Sequence, residues 1–325
     1  MPVPQHVFDP PFNIVRSSHV VLDVVDLNKS VDFYDNIIGL HVEDRDDTTA
    51  YLRGSEEHQH HSVVLRKADK AAAARLGFKV ASEADLDKAG SWFAEQGVLY
   101  AFVDRPFQGR TLHVTDPFGF RLEFYATMEK RPHLLRRFER YKGCHPQRLD
   151  HFNVFAAETQ DTIDFYARLG FRLTEYAEED GEGGRIAAAW MHRKGNVHDF
   201  AITNGKGPRL HHFAYWVPGP LNIIHLCDVM ASSGLALERG PGRHGISNAF
   251  FLYVRDPDGH RIELYCSDYQ TMDHDHEPLR WSLRDPRRQT LWGAPAPRSW
   301  FEQGSPFLGE EVREPRFVAD VVIAD

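Results

Sequence analysis

Two histidines and a glutamate could do chemistry together: His151 in LDHFNVFA, His212 in RLHHFAYW and Glu263 in DPDGHRIELYC. Each is followed by an apolar residue, Phe152, Phe213 or Leu264. In a β-strand, successive side chains point to opposite faces, so these three polar side chains can converge inside one barrel. Two imidazoles and one carboxylate on one face of a metal leave the opposite positions open, which suits an Fe(II) that binds a substrate and O2 together. A structural zinc site would be closed by four ligands, commonly with sulfur, and of Cys144, Cys227 and Cys266 only Cys266 is near these strands. Each histidine alone reads equally well as a core imidazole satisfied by hydrogen bonds. The three together at strand positions favour a ligand set.

Other residues add groups with a plausible task. His198, in NVHDFAIT, titrates near neutrality and fits a proton shuttle, and Tyr253 offers a phenol. Trp190 in AAAWMHRK and the run ERGPGRHGISN have the composition of pocket elements. In the latter, Pro and Gly would fix a loop presenting Arg239 and His244, although a plain turn explains it as well. His58, His60 and His61 in one polar patch, and His274 and His276 in an acidic loop, are expected to be surface histidines.

The elements that position these groups are written twice. DPFGFRLEFY (116–125) recurs as DPDGHRIELY (256–265), and DFYDNIIGL (32–40) recurs with one residue fewer as DFYARLGF (164–171). His19 falls opposite His151. Two homologous halves follow, 12–130 and 146–268, with a tail over 269–325. In each half the spacing alternates strand, helix, strands. Val20, Leu22 and Val24 alternate as a strand, Leu27 to Ile38 reads as a helix after Asp26 and ends at Gly39, and a second helix closes at Gly97. The expected fold is α+β: four βαβββ modules in two halves, each half an open mixed β-barrel. The N-terminal half keeps His19 and Glu123 but offers Phe78 where the other half has His212, so metal is expected in the C-terminal half alone.

Length, composition and charge fit this reading. At 325 residues the chain exceeds one ordinary core, and 42% hydrophobic with 26% charged residues is globular in character. A net charge of -9 gives no footprint for nucleic acid. No stretch has the roughly 20 apolar residues that a membrane helix needs, and the N-terminus lacks a signal pattern, so a soluble cytoplasmic protein is expected. Three scattered cysteines indicate neither a disulfide framework nor a thiolate site.

The combination LDHFN, AAWMHRK, VHD, RLHHFA, RGPGRHGISNAF, DPDGHRIELY and a closing WG-then-PRSW resembles the type I extradiol dioxygenases of the vicinal oxygen chelate superfamily over nearly the whole chain. The resemblance implies the matching fold and ring cleavage of a catechol by O2. It implies Fe(II), with Mn(II) as the alternative, on His151, His212 and Glu263. It makes His198 the acid–base histidine and Tyr253 a hydrogen-bond partner of the bound catecholate, and it puts Asn153, Trp190, Arg239, His244, Arg288 and Trp300 in the substrate pocket. Arg288 and Trp300 would fold over the barrel mouth as a lid, and the assembly would be a homotetramer. One departure concerns the substrate carboxylate: where the family has two consecutive arginines, this chain has Arg288 and Gln289, with Arg287 one place early. The implied substrate is 3,4-dihydroxyphenylacetate, with a dihydroxybiphenyl- or dihydroxycumate-type diol as the alternative. A non-oxidative isomerase of the same superfamily and a metal-free binding protein are the rivals from other classes.

Overall fold

A computed structural model describes residues 3–273 and 275–319. His274 lies outside the described residues. The N-terminal half runs β1 (Ile14–Val24), α1 (Leu27–Asp32), β2 (His41–Arg45), β3 (Thr49–Arg53) and β4 (Val63–Lys67), then β5 (Ala72–Val80), α2 (Glu83–Glu95), β6 (Tyr100–Arg105), β7 (Gly109–Thr115) and β8 (Arg121–Tyr125). The C-terminal half repeats this order. Its first module is β9 (Arg148–Ala156), α3 (Thr159–Arg168), β10 (Arg172–Glu178), β11 (Ile186–His192) and β12 (Phe200–Asn204). Its second is β13 (Arg209–Trp216), α4 (Pro220–Ser232), β14 (Leu237–Arg243), β15 (Phe250–Arg255) and β16 (Arg261–Cys266). The tail adds β17 (Leu279–Ser282), α5 (Arg298–Glu302) and β18 (Ser305–Pro306). The four expected βαβββ modules are therefore present. Among the described residues no helix is long and apolar enough to cross a membrane.

Each half forms one mixed sheet with the same internal order. The first is β2-β3-β4-β1-β5-β8-β7-β6 and the second β14-β15-β16-β13-β9-β12-β11-β10-β17, with β18 paired to β13. Within each, the first strand of each module pairs antiparallel with its counterpart, β1 with β5 and β9 with β13. One continuous core runs through both halves. Phe78 lies at its centre, its ring centroid 5.7 to 5.9 Å from those of Phe124, Phe152, Phe171 and Phe200.

The local signal acts as expected at α1, and α2 has a cap of the same kind. Asp26 caps α1 by accepting from the backbone N–H of Asn28 and Lys29, and Ser82 caps α2. The helix over Leu27 to Ile38 is not uniformly α: Phe33–Ile38 form a π-turn, which Gly39 closes at φ 99°. The extra residue of the first DFY repeat is the physical reason, since a π-turn absorbs one residue without rotating the helix out of register. A Cβ at Gly39 would come within 2.1 Å of the Lys142 carbonyl oxygen.

The two recurring motifs meet across the halves. Tyr34 of the first DFY donates to Asp256 of the second DP-turn at 2.9 Å, and Tyr166 of the second DFY donates to Asp116 of the first at 2.8 Å. Burial pushes the Asp116 carboxyl up to about 7, against the pull of Tyr166 and of backbone N–H donors in its own turn. Removing either phenol leaves a buried carboxyl short of a donor, so Tyr166→Phe or Tyr34→Phe should destabilise the chain by about 1 to 3 kcal/mol in urea unfolding. Because the folded pKa of Asp116 is raised, its contribution is complete below the ordinary value of 3.8 and is lost as pH rises through about 7. Asp116→Asn should flatten that part of the stability–pH curve.

Candidate metal centre

His151, His212 and Glu263 come from the adjacent strands β9, β13 and β16, where Ala214 pairs with both His151 and Glu263. Phe152, Phe213 and Leu264, one residue on from each, are fully buried in the core on the opposite face. Glu263 Oε2 lies 3.1 Å from His151 Nε2 and 3.2 Å from His212 Nε2. The three are buried, and they are the only such group of potential ligands found among the described residues. Metal–ligand bonds of about 2.1 Å place neighbouring ligand atoms about 3 Å apart, so these side chains fit a divalent metal.

Hydrogen bonds at the far ring nitrogens aim the near ones. His151 Nδ1 is 3.1 Å from Asp150 Oδ2. His212 Nδ1 is 2.6 Å from His211 Nδ1, while His211 Nε2 is 2.9 Å from the Trp300 carbonyl. A carbonyl only accepts, so His211 carries its proton on Nε2, its Nδ1 accepts from His212 Nδ1–H, and His212 Nε2 is left bare. Burial alone would lower His151, but its bonds to Asp150 and Glu263 hold it up at about 9. At His212 burial wins and the pKa falls to about 4. Burial opposes ionisation of Glu263 too, yet the two imidazoles hold its carboxyl well below the usual range.

His198, Tyr253, Asn153, Trp190, Arg239, His244, Arg288 and Trp300 border the same cavity of about 650 Å³. His198, just before β12, places its ring 3.8 Å from that of His151, and burial, then His151, pushes its pKa well below neutrality. Tyr253 on β15 pairs with Glu263 and lies 3.0 Å from His244 Nε2. His244 Nδ1 bonds the Gln289 carbonyl, so the phenol is the donor to Nε2. Asn153 accepts from Thr203 at 3.1 Å through Oδ1, and Trp190 stands half-buried on β11. Arg239 bonds Gln289 O at 3.0 Å and Thr290 Oγ1 at 2.8 Å, stacks 4.4 Å over the Trp300 ring, and has two buried nitrogens, Nε and Nη1, without a partner. Burial lowers both Arg239 and Arg288 to about 10. Gln289 borders the cavity beside Arg288, whereas Arg287 is outside it and pairs with Asp285 at 2.8 Å.

Several expectations are corrected. The residue opposite His212 is Arg75, not Phe78, because Gly77 pairs with His19 and Glu123 as Ala214 pairs with His151 and Glu263. Phe78 belongs to the core face, and the shared Arg-Leu of RLGFKV and RLHHFA aligned the two strands three residues out of register. A Cβ at Gly77 would lie within 2.2 to 2.5 Å of the His19 ring, so glycine there makes room for His19 to bond Glu123. His60 and His61 are buried rather than at the surface: His60 stacks on Phe107 at 3.9 Å and His61 packs 5.3 Å from His19. The expected loop presenting Arg239 is edge strand β14, which carries Pro241 at a bulge where Gly240 has φ 97°. Sequence reasoning did not single out His211, Asp150, Lys194 or Asn196, although the first two stand directly before His212 and His151.

The family model of the Glyoxalase/Bleomycin resistance protein/Dioxygenase superfamily matches residues 16–124 and 148–264. A manganese-dependent 2,3-dihydroxybiphenyl 1,2-dioxygenase of Geobacillus genomosp. 3 is 30% identical, covering 87% of this chain and 94% of that protein. A metapyrocatechase of Geobacillus stearothermophilus is 30% identical over 94% of this chain and 98% of its own length. The crystal structure of homoprotocatechuate 2,3-dioxygenase from Arthrobacter globiformis superposes with a TM-score of 0.90 at 40% identity, covering 96% of this chain and 98% of that one. A B. fuscum variant of that enzyme in complex with HPCA gives 0.92 at 40% identity, with 97% and 90% covered.

His212→Ala should lose bound metal, while Glu123→Gln in the first barrel should retain it and lose stability instead. Elemental analysis should give one metal per chain in the unaltered protein; a reproducible value near two would contradict the assignment.

Proposed function

We propose, for a chain that belongs to the Glyoxalase/Bleomycin resistance protein/Dioxygenase superfamily and is an extradiol ring-cleaving dioxygenase, that its substrate is a catechol bearing an anionic side chain, 3,4-dihydroxyphenylacetate first, and that its resident metal is Fe(II). The observation that carries the substrate reading is Arg239, a buried guanidinium at the cavity with two unpartnered nitrogens. An unpaired buried cation is costly, and a carboxylate that meets it in a sheltered pocket gains a strong, directional pair. The homoprotocatechuate relatives agree in substrate type. Fe(II) suits a two-histidine, one-carboxylate set with open positions, and Mn(II) is the alternative that the manganese-dependent relative raises.

In this reading His151, His212 and Glu263 hold the metal in the C-terminal barrel (146–268), the barrel of 12–130 is structural, and the tail (269–325) supplies Arg288 and Trp300 as a cover. When bound, the metal brings catechol and O2 together and carries electrons between them. His198 has no hydrogen bond on its ring among the described residues, so its free nitrogen can accept a catechol proton and return it later in the reaction. Tyr253, held protonated by burial and by Glu263, turns its one O–H from His244 Nε2 to the catecholate oxygen when the catechol binds. Asn153 borders the cavity with its oxygen taken by Thr203, which leaves its amide N–H as the group to meet the substrate. Arg239 and Arg288 orient the ring through its side chain, and Trp300 keeps water from the reacting atoms. The product is a ring-opened hydroxymuconate semialdehyde containing both atoms of O2. The homotetramer belongs to the same proposal.

A second substrate reading rests on the cavity itself. Its volume of about 650 Å³ and the small apolar walls at Ala187, Ala188 and Leu283 leave room for a bulkier diol of the dihydroxybiphenyl type. A panel of plain catechol, 3,4-dihydroxyphenylacetate and 2,3-dihydroxybiphenyl decides. kcat/KM should be highest for the arylacetate and should fall for that substrate alone in Arg239→Met; equal values for plain catechol and the arylacetate would remove the carboxylate role.

His198→Asn should keep metal and anaerobic catechol binding while turnover falls on the order of 10²-fold to 10⁴-fold. Loss of metal in that variant, with retention in His212→Ala, would reverse the assignment of acid and ligand.

A further inference from the structure

Behind His151 and His198 lies a buried polar group of residues that does not reach the cavity. The turn between β11 and β12 folds back along β9. Asp199 accepts from the backbone N–H of Arg193 at 2.7 Å and Lys194 at 3.1 Å, and from that of Ser17 in the other half at 3.0 Å. This turn delivers Lys194 Nζ to Asp199 Oδ1 at 2.7 Å, to the Asp150 carbonyl at 2.6 Å, and to within 3.6 Å of Asp150 Oδ1. Asp150 is only 2% exposed, and its Oδ2 is shared by His151 Nδ1 at 3.1 Å and Asn196 Nδ2 at 2.9 Å. Asn196 Nδ2 also donates to the backbone carbonyl of His198. Asn196 is anchored in turn, its carbonyl accepting from Thr271 at 3.0 Å.

We propose that Asp150, Lys194 and Asn196 form one bracket of positioning residues, in which Asp150 sets the tautomer and ring angle of His151 and Asn196 ties the place of His198 to it. The inference rests on the reading that His151 ligates metal and His198 carries a proton. An imidazole that donates from Nδ1 to a carboxylate turns a bare Nε2 toward the metal, and such outer partners tune affinity. A buried carboxylate needs a counter-charge, and Lys194 is the cation beside it. An amide NH2 has two hydrogens, so Asn196 can serve both acceptors at once. The His198 ring makes no hydrogen bond of its own among the described residues. Its position is therefore set through its backbone and through the tilted packing of its ring against His151, and Asn196 is the polar link between the two.

The test uses the full chain loaded with Fe(II), chelator competition for metal affinity, anaerobic titration with 3,4-dihydroxyphenylacetate, and kcat. Asp150→Asn should weaken Fe(II) binding about 10-fold to 100-fold. Asn196→Ala should hold Fe(II) and catechol affinity within about threefold and lower kcat about tenfold or more, and in a His198→Asn background it should cost less than about threefold further. Unchanged Fe(II) affinity in Asp150→Asn overturns the first half of the bracket, and an equal kcat loss in both backgrounds overturns the second. Should Asp150→Asn fail to fold, Lys194→Met replaces it: weaker Fe(II) binding, restored by Lys194→Arg, supports the bracket, and unaltered binding in both overturns it. Unchanged kcat in His198→Asn strikes the acid–base reading itself and the Asn196 arm with it, leaving metal affinity to judge Asp150 separately.

Discussion

The rest of the site depends on one buried carboxylate and on what neutralises it. Glu123 and Glu263 occupy the same position on the last strand of each barrel, each almost wholly out of water, where an ionised carboxylate costs several kcal/mol unless paired. The first barrel meets that cost with its own residues. Glu123 bonds His19, His113 at 3.1 Å and Gln108 at 3.3 Å, with the Arg105 guanidinium 3.9 Å away. In the second barrel Tyr253 stands in the register position of His113, and His212 stands in that of Arg75. Glu263 is thereby left with two imidazoles at nearly equal distance from one oxygen, a set whose missing charge is that of a divalent cation. One fold position has two electrostatic solutions, one closed by hydrogen bonds and cations of the chain, the other open to a metal.

The surroundings of Glu263 follow from that opening. His211 and Asp150 fix the tautomers of the two imidazoles from behind, so both present a bare nitrogen to the metal. Strands β14 and β15 on one side, and β11 with the loop before β12 on the other, carry Arg239, Tyr253, Trp190 and His198 to the same concave face. Arg239 is held between the Trp300 ring and the backbone of the tail, which makes the tail part of the cavity wall. The cross-half bonds from Tyr34 and Tyr166 lock the two sheets together, and the Asp199 contact with Ser17 ties the first barrel to the loop that carries His198.

Much of this was legible because duplication and a period of two are properties of sequence. The order of modules, the convergence of His151, His212 and Glu263, and the cap at Asp26 need only local pattern. What was not legible depends on register and on long-range packing. Phe78 was matched to His212 because RLGFKV and RLHHFA share their first two residues, whereas hydrogen-bonded pairing places Arg75 there. His60 and His61 read as surface residues from their polar neighbours, but Phe107 and His19 cover them. The repeated DFY and DP-turn motifs were visible as repeats, yet that each bonds the other half's copy emerges only when the halves are packed. Asp150 and Asn196 carry no spacing signal, since their partners are brought together by a turn.

The central claim is that one metal on His151, His212 and Glu263 supports ring cleavage that consumes O2. The direct measurement is simultaneous oxygen-electrode and absorbance recording on enzyme loaded with graded amounts of Fe(II). The account predicts one O2 consumed for each catechol ring opened, no hydrogen peroxide released, and a rate that rises in proportion to bound metal and levels off at one per chain. Ring opening that proceeds without O2, or a rate unchanged after the metal is chelated away, would contradict it.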